Sequence, residues 1–404
     1  MTLRRLLGHL VSALVIPGLC SPALAQEFLF QRSAYNPAVL SLSFTEAKEG
    51  RGTTSGNAFL DITLIPRKGE LVGKRVELSR ELFQTQLRTL YRQLSRQESL
   101  QVVNPASASR QLFSALLAPA AEELKRQGIT TVLIAADRGL QAVPFAALHD
   151  GREYFGEAYA FSLTPSLKLT SLAPPRSERN QVLAMGASDF KGLAPLPLVP
   201  QELANLPGGQ GVDRYLNQAF TPSVLLEKSA DPRYDRVHVA THAEFLPGGP
   251  AQARLYAGTG PVSMKEFLKL RQRRQDNPLE LFALSACRTA LGDNDSELGF
   301  AGLALQAGSR SAIGTLWYVD DVATSAFFLQ LYRYLNAGLP KAEALQATRI
   351  AMAQGRVRLQ GDRVVGADGA TLLTGLTPVQ QRRVSGGLEN PFFWSGIELL
   401  GTPW

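Results

Sequence analysis

Short apolar runs and helical patterns alternate along the chain from residue 131 onward. The runs are Thr131–Ala136, Val182–Met185, Val237–Ala240, Leu279–Ser285, Ala312–Trp317 and Ile397–Leu400. Runs this short and this apolar predict strands buried on both faces, and the helices between them predict parallel crossovers. Upstream the pattern differs. Leu40–Phe44 and Leu60–Leu64 alternate with period two on either side of the Gly-rich stretch 50–56, as two strands joined by a long hairpin loop would. Leu82, Phe83, Leu87, Leu90, Tyr91 and Leu94 then recur with helical spacing, and Arg88, Arg92 and Arg96 mark that helix's solvated face. A second helical stretch starts near Ser109, is interrupted at Pro119 and ends at Gly128.

The late helices carry clear boundary signals. Asp320 and Asp321 precede the pattern Val322–Asn336, which Gly338 closes. Pro340 opens Lys341–Gln354, which Gly355 closes. Residues 356–388 are polar and aperiodic and predict an exposed insertion. No repeat is evident, which sets solenoids and propellers aside.

With 404 residues, 45% of them hydrophobic and 19% charged, the chain has the composition of a globular protein and enough apolar content to exclude wholesale disorder. Its formal charge is 42 − 35 = +7, or +5 without Arg4 and Arg5. That excess favours acidic partners only weakly, and no dense basic run interleaved with aromatics points to nucleic acid. The first 25 residues read as a secretory signal peptide: Arg4-Arg5, an apolar stretch from Leu6 to Leu19, and the small-x-small site Ala23-Leu24-Ala25. Cleavage there would leave Gln26 as the new terminus. The stretch is short for a ~30 Å hydrocarbon core, and no later segment is long and apolar enough to span one. A secreted or periplasmic protein is therefore expected.

Cysteine counting follows from that expectation. The chain holds Cys20 and Cys287, so a processed chain keeps one thiol and no internal disulfide. Such a thiol is either a small buried core residue or a reactive one. An open parallel sheet places its site at the carboxyl ends of its strands. His242 follows the run ending at Thr241, and Cys287 follows the run ending at Ala286. If those strands are neighbours, an imidazole and a thiol meet at one edge, as a nucleophilic cysteine needs. His238 lies roughly 13 Å of strand from His242, too far to share a metal, and reads as a sheet-face or core residue. His149 reads as a structural loop residue. No metal site and no cofactor are expected, and G-x-S-x-G, P-loop, H-E-x-x-H and G-x-G-x-x-G motifs are absent.

Around these residues the sequence resembles CHAT domains, caspase-like proteins related to separase and the gingipains, the clan CD cysteine peptidases. The resemblance rests on Val237-His-Val-Ala-Thr-His-Ala243 and Leu284-Ser-Ala-Cys-Arg-Thr-Ala-Leu-Gly292. It continues through Gly299–Gly308, Ser311–Trp317, Val319–Thr324 and Asn390–Gly396, with Leu140–Leu148 and Leu163–Leu167 upstream. It covers roughly residues 85–401.

The resemblance implies a caspase-like α/β/α sandwich with a mostly parallel central sheet. The expected organisation is a signal peptide over 1–25, a small N-terminal strand-and-helix extension over 26–84, and the CHAT domain over 85–404 with its insertion at about 356–388. It implies a Cys–His dyad with Cys287 as nucleophile and His242 as general base and acid, and an oxyanion hole from the backbone N–H groups of Ala243 and Cys287. The residue after the His is usually Gly, so Ala243 is a departure that matters if the hole needs positive φ. By analogy with separase-like relatives, Asp321 is the S1 candidate for a basic P1 residue, Arg before Lys because of its bidentate fork. Its alternative role, shared with Asp320, is helix capping. Glu244, Asp293 and Asp295 could enlarge the acidic surface, and Glu297 reads as the cap of the following helix. The expected activity is that of an exported cysteine endopeptidase acting on a protein or peptide substrate, with regulation by a protein partner in trans. The competing reading is a non-catalytic CHAT module that binds proteins in the envelope. A thiol hydrolase or transferase acting on something other than peptides is a third.

Overall fold

The computed structural model describes residues 36–46, 57–137, 139–164, 167, 170, 181–245, 253–274, 277–286, 299–318 and 320–404. Its strands are β1 Pro37–Glu46, β2 Asn57–Pro66, β3 Val72–Ser79, β4 Thr131–Ala136, β5 Ala160–Thr164, β6 Val182–Gly186, β7 Val212–Leu216 and β8 Arg236–Ala240. They continue as β9 Ala243–Phe245, β10 Ala253–Ala257, β11 Gly260–Ser263, β12 Leu281–Ser285, β13 Ser311–Thr315, β14 Arg358–Gln360, β15 Arg363–Val365, β16 Thr371–Leu373 and β17 Ile397–Gly401. The described helices longer than four residues are α1 Arg80–Ser95, α2 Ala108–Leu116, α3 Ala118–Arg126, α4 Val199–Asn205, α5 Pro222–Lys228, α6 Gly299–Gln306, α7 Asp321–Asn336, α8 Lys341–Ala353 and α9 Pro378–Arg383.

Eleven strands form one sheet in the order β3-β2-β1-β4-β5-β17-β13-β12-β8-β6-β7, and helices flank it as an α/β/α sandwich. Each of the six apolar runs forms a strand, and β6, β8, β13 and β17 are buried along their whole length. The N-terminal pair matches its alternation: β1 and β2 are antiparallel with Leu40 opposite Leu64 and Leu42 opposite Ile62, all buried. Those strands extend the central sheet itself, because β1 pairs in parallel with β4. Helix α1 turns Phe83, Leu90 and Leu94 inward and leaves Arg88, Arg92 and Arg96 in solvent, while Leu82 of its sequence stripe is exposed.

Three features depart from the sequence pattern. Strand β5 and the partly exposed edge strand β7 join the sheet without a distinctive run of their own. Strand β17 is parallel to β5 but antiparallel to β13. The reason is that two consecutive helices, α7 and α8, separate β13 from β17, so the chain crosses the sheet twice and re-enters from the end it left. Finally, the segment read as an exposed insertion is folded. Strands β14–β16 form a small antiparallel sheet, and Val357, Val364, Leu372, Leu373, Leu376, Val384 and Leu388 are buried. Its apolar residues are too widely spaced to show a period, yet they pack on α7 and α4, and Asn205 Nδ2 donates to Leu372 O at 2.8 Å.

The packing at the β6–β8 edge sets up the site. Helix α4 lies so close to β6 that a Cβ on Gly186 would stand 2.6 Å from Val199 Cγ1 and 3.0 Å from Ala240 O. Glycine there brings α4 down onto the carboxyl end of β8. Helix α7 is buried nearly all round and packs against α4 and α8.

Candidate active site

Strands β8 and β12 are parallel neighbours in register, with Ala240 opposite Ser285. His242 follows Ala240 by two residues, and Cys287 follows Ser285 by two. Neighbouring strands lie about 4.8 Å apart, so the two chain paths leave the sheet side by side. Thr241 N–H donates to Ser285 O at 3.3 Å and holds the two exits together. Cys287 itself lies outside the described residues, as do Asp293, Asp295 and Glu297.

His242 is half-buried and oriented from two sides. Its Nε2–H donates to Ala194 O at 2.8 Å, and Phe190 packs on its ring with centroids 4.7 Å apart. A carbonyl can only accept, so the anchor places a proton on Nε2, and in the neutral imidazole the lone pair is then on Nδ1. That is the state in which an imidazole takes a proton.

Ala243 opens β9, and its backbone is not among the residues with positive φ. Tyr256 N–H donates to His242 O at 3.0 Å, while Ala243 stands opposite Leu255. This pattern makes Ala243 and Leu255 a non-hydrogen-bonded pair, so the N–H of Ala243 points away from β10. The alanine after the histidine therefore carries no left-handed strain, and its amide is not part of the ladder to β10.

Both aspartates stand at the N-terminus of α7, and Asp321 Oδ1 also accepts from Val322 N–H, at 3.0 Å. Asp320 caps α7: its Oδ1 accepts from Val322 N–H at 2.9 Å and Ala323 N–H at 3.1 Å. Burial pushes the Asp320 carboxyl above its usual value, against those N–H groups and Arg383. Asp321 is the first residue of the helix and lines a cavity together with His242. Arg383 of α9 reaches back to form ion pairs with both, at 3.1 Å to Asp320 and in direct contact with Asp321.

The cavity holds about 60 Å³ between α4, the N-terminal turn of α7 and the ends of β8 and β12. Its polar wall includes Glu202, Thr241, Ser285, Thr324 and Ser325. Sequence reasoning missed Glu202 and Arg383. A signal for the first was present: Val199, Glu202, Leu203 and Leu206 form one helical stripe, with a carboxylate in an apolar position. Glu202 is buried, and its oxygens accept from His238 Nε2–H at 2.8 Å and Ser325 Oγ–H at 2.5 Å. His238 is thus a fully buried sheet residue, packed edge-on against Phe328 and Tyr332. Glu244 accepts from the Tyr256 hydroxyl at 2.8 Å. His149 is buried in a turn, where its Nδ1 accepts from Gly151 N–H at 2.9 Å. Among the described residues no group of three or more His, Cys, Asp or Glu stands close enough to hold a metal ion, and no helix is long and apolar enough to cross a membrane.

Comparison with known proteins bears on the whole arrangement. The CHAT domain family model matches residues 106–402. Among solved structures, the chain is similar to separase in the Saccharomyces cerevisiae separase–securin complex, with a TM-score of 0.50 and 12% identity. That match covers 95% of this chain and 31% of the separase chain, so this chain spans about a third of separase. It is also similar to the Arg-specific cysteine proteinase gingipain R, with a TM-score of 0.42 and 11% identity over 76% of this chain and 70% of the other. A comparison with curated proteins finds no match.

Proposed function

Because the chain belongs to the CHAT domain family and has its caspase-like fold, we propose that it is a cysteine endopeptidase with Cys287 as nucleophile and His242 as general base and acid. The observation that carries the reading is His242, held through Nε2 by Ala194 O at the end of a strand in register with the one leading to Cys287. In this mechanism Nδ1 takes the thiol proton and the thiolate attacks the scissile carbonyl. The oxyanion is met by the N–H groups of Ala243 and Cys287. Collapse breaks the C–N bond, and His242 returns the proton to the leaving amine. Water, deprotonated by His242, then attacks the thioester; the acid leaves and the thiol is restored.

Cleavage after a basic residue is part of the proposal, supported by the carboxylates of Asp321 and Glu202, both of which line the cavity. So is export, supported by Arg4-Arg5, the apolar stretch and Ala23-Leu24-Ala25. A regulatory protein in trans is proposed by analogy with separase, whose structure was solved with securin. A second reading, a non-catalytic protein-binding module, is favoured by Arg383, which already occupies the Asp321 carboxylate. Labelling with an electrophilic peptide separates the two. The endopeptidase should be labelled at one site, and Cys287→Ala or His242→Ala should abolish or greatly slow it. A native protein whose thiol reacts only after denaturation would establish the module.

A further inference from the structure

A second cavity shares no residue with the one beside His242. It holds about 310 Å³, at the lower end of the size range of ligand pockets, between α2, α3 and the helical turn Phe155–Ala158. Its lining is mostly apolar: Leu117, Leu124, Ile129 and Phe155 are buried, and Phe113 and Tyr159 are half-buried. An apolar hollow of this size that stays open leaves its walls without partner atoms and in contact with water. Ile129 and Tyr159 lead into β4 and β5, so the cavity lies at the amino ends of those two parallel strands.

The chain enters the described fold beside this cavity. Asn36 Nδ2–H donates to Gln127 O at 2.7 Å and to Gly128 O at 3.4 Å, and Gly128 itself lines the cavity. The backbone of Asn36 is fastened to Thr130, whose N–H donates to Asn36 O at 3.0 Å. Strand β1 then runs parallel to β4, so Asn36 stands at the same amino edge as the cavity. The sequence that continues past β1 or β5 does so from the opposite, carboxyl edge. Just upstream of Asn36 the chain reads Gln26-Glu-Phe-Leu-Phe-Gln-Arg-Ser-Ala-Tyr35, an apolar triplet flanked by Glu27 and Gln31.

These ten residues lie outside the described ones. We propose that this upstream segment is the cavity's occupant, docking Phe28 and Phe30 between α3 and the 155–158 turn. The start of β5, on the far side of the cavity, is two strand spacings from β1, about 10 Å. The steps from Asn36 back to Phe30 span up to about 20 Å of extended chain, so the triplet reaches with length to spare. Phe28 and Phe30, two residues apart, fall on one side of an extended chain, and both rings can enter while Leu29 faces outward. Such docking is independent of any peptidase activity.

Two measurements on the full chain test it. In a Cys20→Ala, Cys287→Ala background, Phe30→Cys combined with Ala121→Cys should form an intramolecular disulfide under mild oxidation, because Ala121 lines the cavity. Phe30→Cys combined with Val379→Cys, an exposed position on α9, should not. The second probe is Nile red, an uncharged apolar dye. It should bind the Phe28→Ser, Phe30→Ser protein at least about tenfold more tightly than the parent, since a cavity free for under a tenth of the time weakens a competing ligand by that factor. Ala121→Trp, which fills the cavity, should remove the gain. Equal disulfide formation with both partner positions, a disulfide that joins two molecules, or equal dye binding by the parent and the Phe28→Ser, Phe30→Ser protein overturns the proposal, even if Ala121→Trp fails to fold.

Discussion

The amide of Ala243 offers a direct test of the site's geometry. Replacing Ala243 with proline removes one N–H, sets a ring methylene in its place and restrains the backbone of residue 243 and of His242 before it. Ala243 is the first residue of β9, a position where proline is tolerated, and its N–H is not part of the ladder to β10. No strand hydrogen bond is lost, so stability should change by less than about 1 kcal/mol. If that N–H meets the oxyanion, its removal should lower kcat/KM about 10²–10³-fold, equivalent to about 3–4 kcal/mol of transition-state stabilisation. The assay is peptide hydrolysis with urea unfolding measured in parallel. Alkylation by iodoacetamide is the internal control, because it engages Cys287 and His242 but builds no oxyanion; its rate should hold. Ala243→Gly should leave kcat/KM within about threefold, since the backbone there does not take positive φ. A proline variant that stays within tenfold of the parent, or loses stability in step with activity, refutes the reasoning.

Three further outcomes are expected. Arg349 and Glu398 form a fully buried ion pair at 3.0 Å, and Glu398→Gln should cost about 3–5 kcal/mol in urea unfolding, while Arg349→Met combined with Glu398→Leu should recover most of it. Burial lifts the Glu343 carboxyl from its ordinary value of 4.5 to about 7 although Thr131 donates to it, so the folded state holds its proton more tightly than the unfolded chain. This contribution is complete below pH 4.5 and is lost as pH rises through about 7; Glu343→Gln should therefore match the parent near pH 4 and exceed it by about 3 kcal/mol at pH 8. Asp320→Ala should cost about 1 kcal/mol by uncapping α7, whereas Asp320→Asn should keep the cap.

Local chemistry was legible in the sequence wherever one residue type has one use. The buried runs became β4, β6, β8, β12, β13 and β17, and Asp320, Gly338 and Gly355 mark helix boundaries as their chemistry demands. Whether the strands leading to His242 and Cys287 are neighbours could be posed from the sequence, but only the β8–β12 register sets Ala240 opposite Ser285. What stayed hidden depends on contacts far apart in sequence. The reversal of β17 follows from α7 and α8 packing as a pair. Arg383 reaches Asp321 across 62 residues of chain. Glu202 carries no motif, and its importance emerges only once Ser325 and His238 close around it. Strand β7 is half exposed and escapes any search for wholly apolar runs.

The position of β17 also has consequences for how the sheet is assembled. It follows every other strand of the sheet in chain order, yet it stands near the middle, between β5 and β13. Before it is in place, the ladder consists of two separate blocks, β3-β2-β1-β4-β5 and β13-β12-β8-β6-β7, each with an unpaired edge at the seam. Such edges recruit other strands, including those of neighbouring molecules. Residues 397–401 therefore splice the two blocks, and closure requires pairing with β5 more than 200 residues earlier in the chain, the kind of non-local contact that slows folding. Without those few residues each half of the sheet would keep an open edge at the seam.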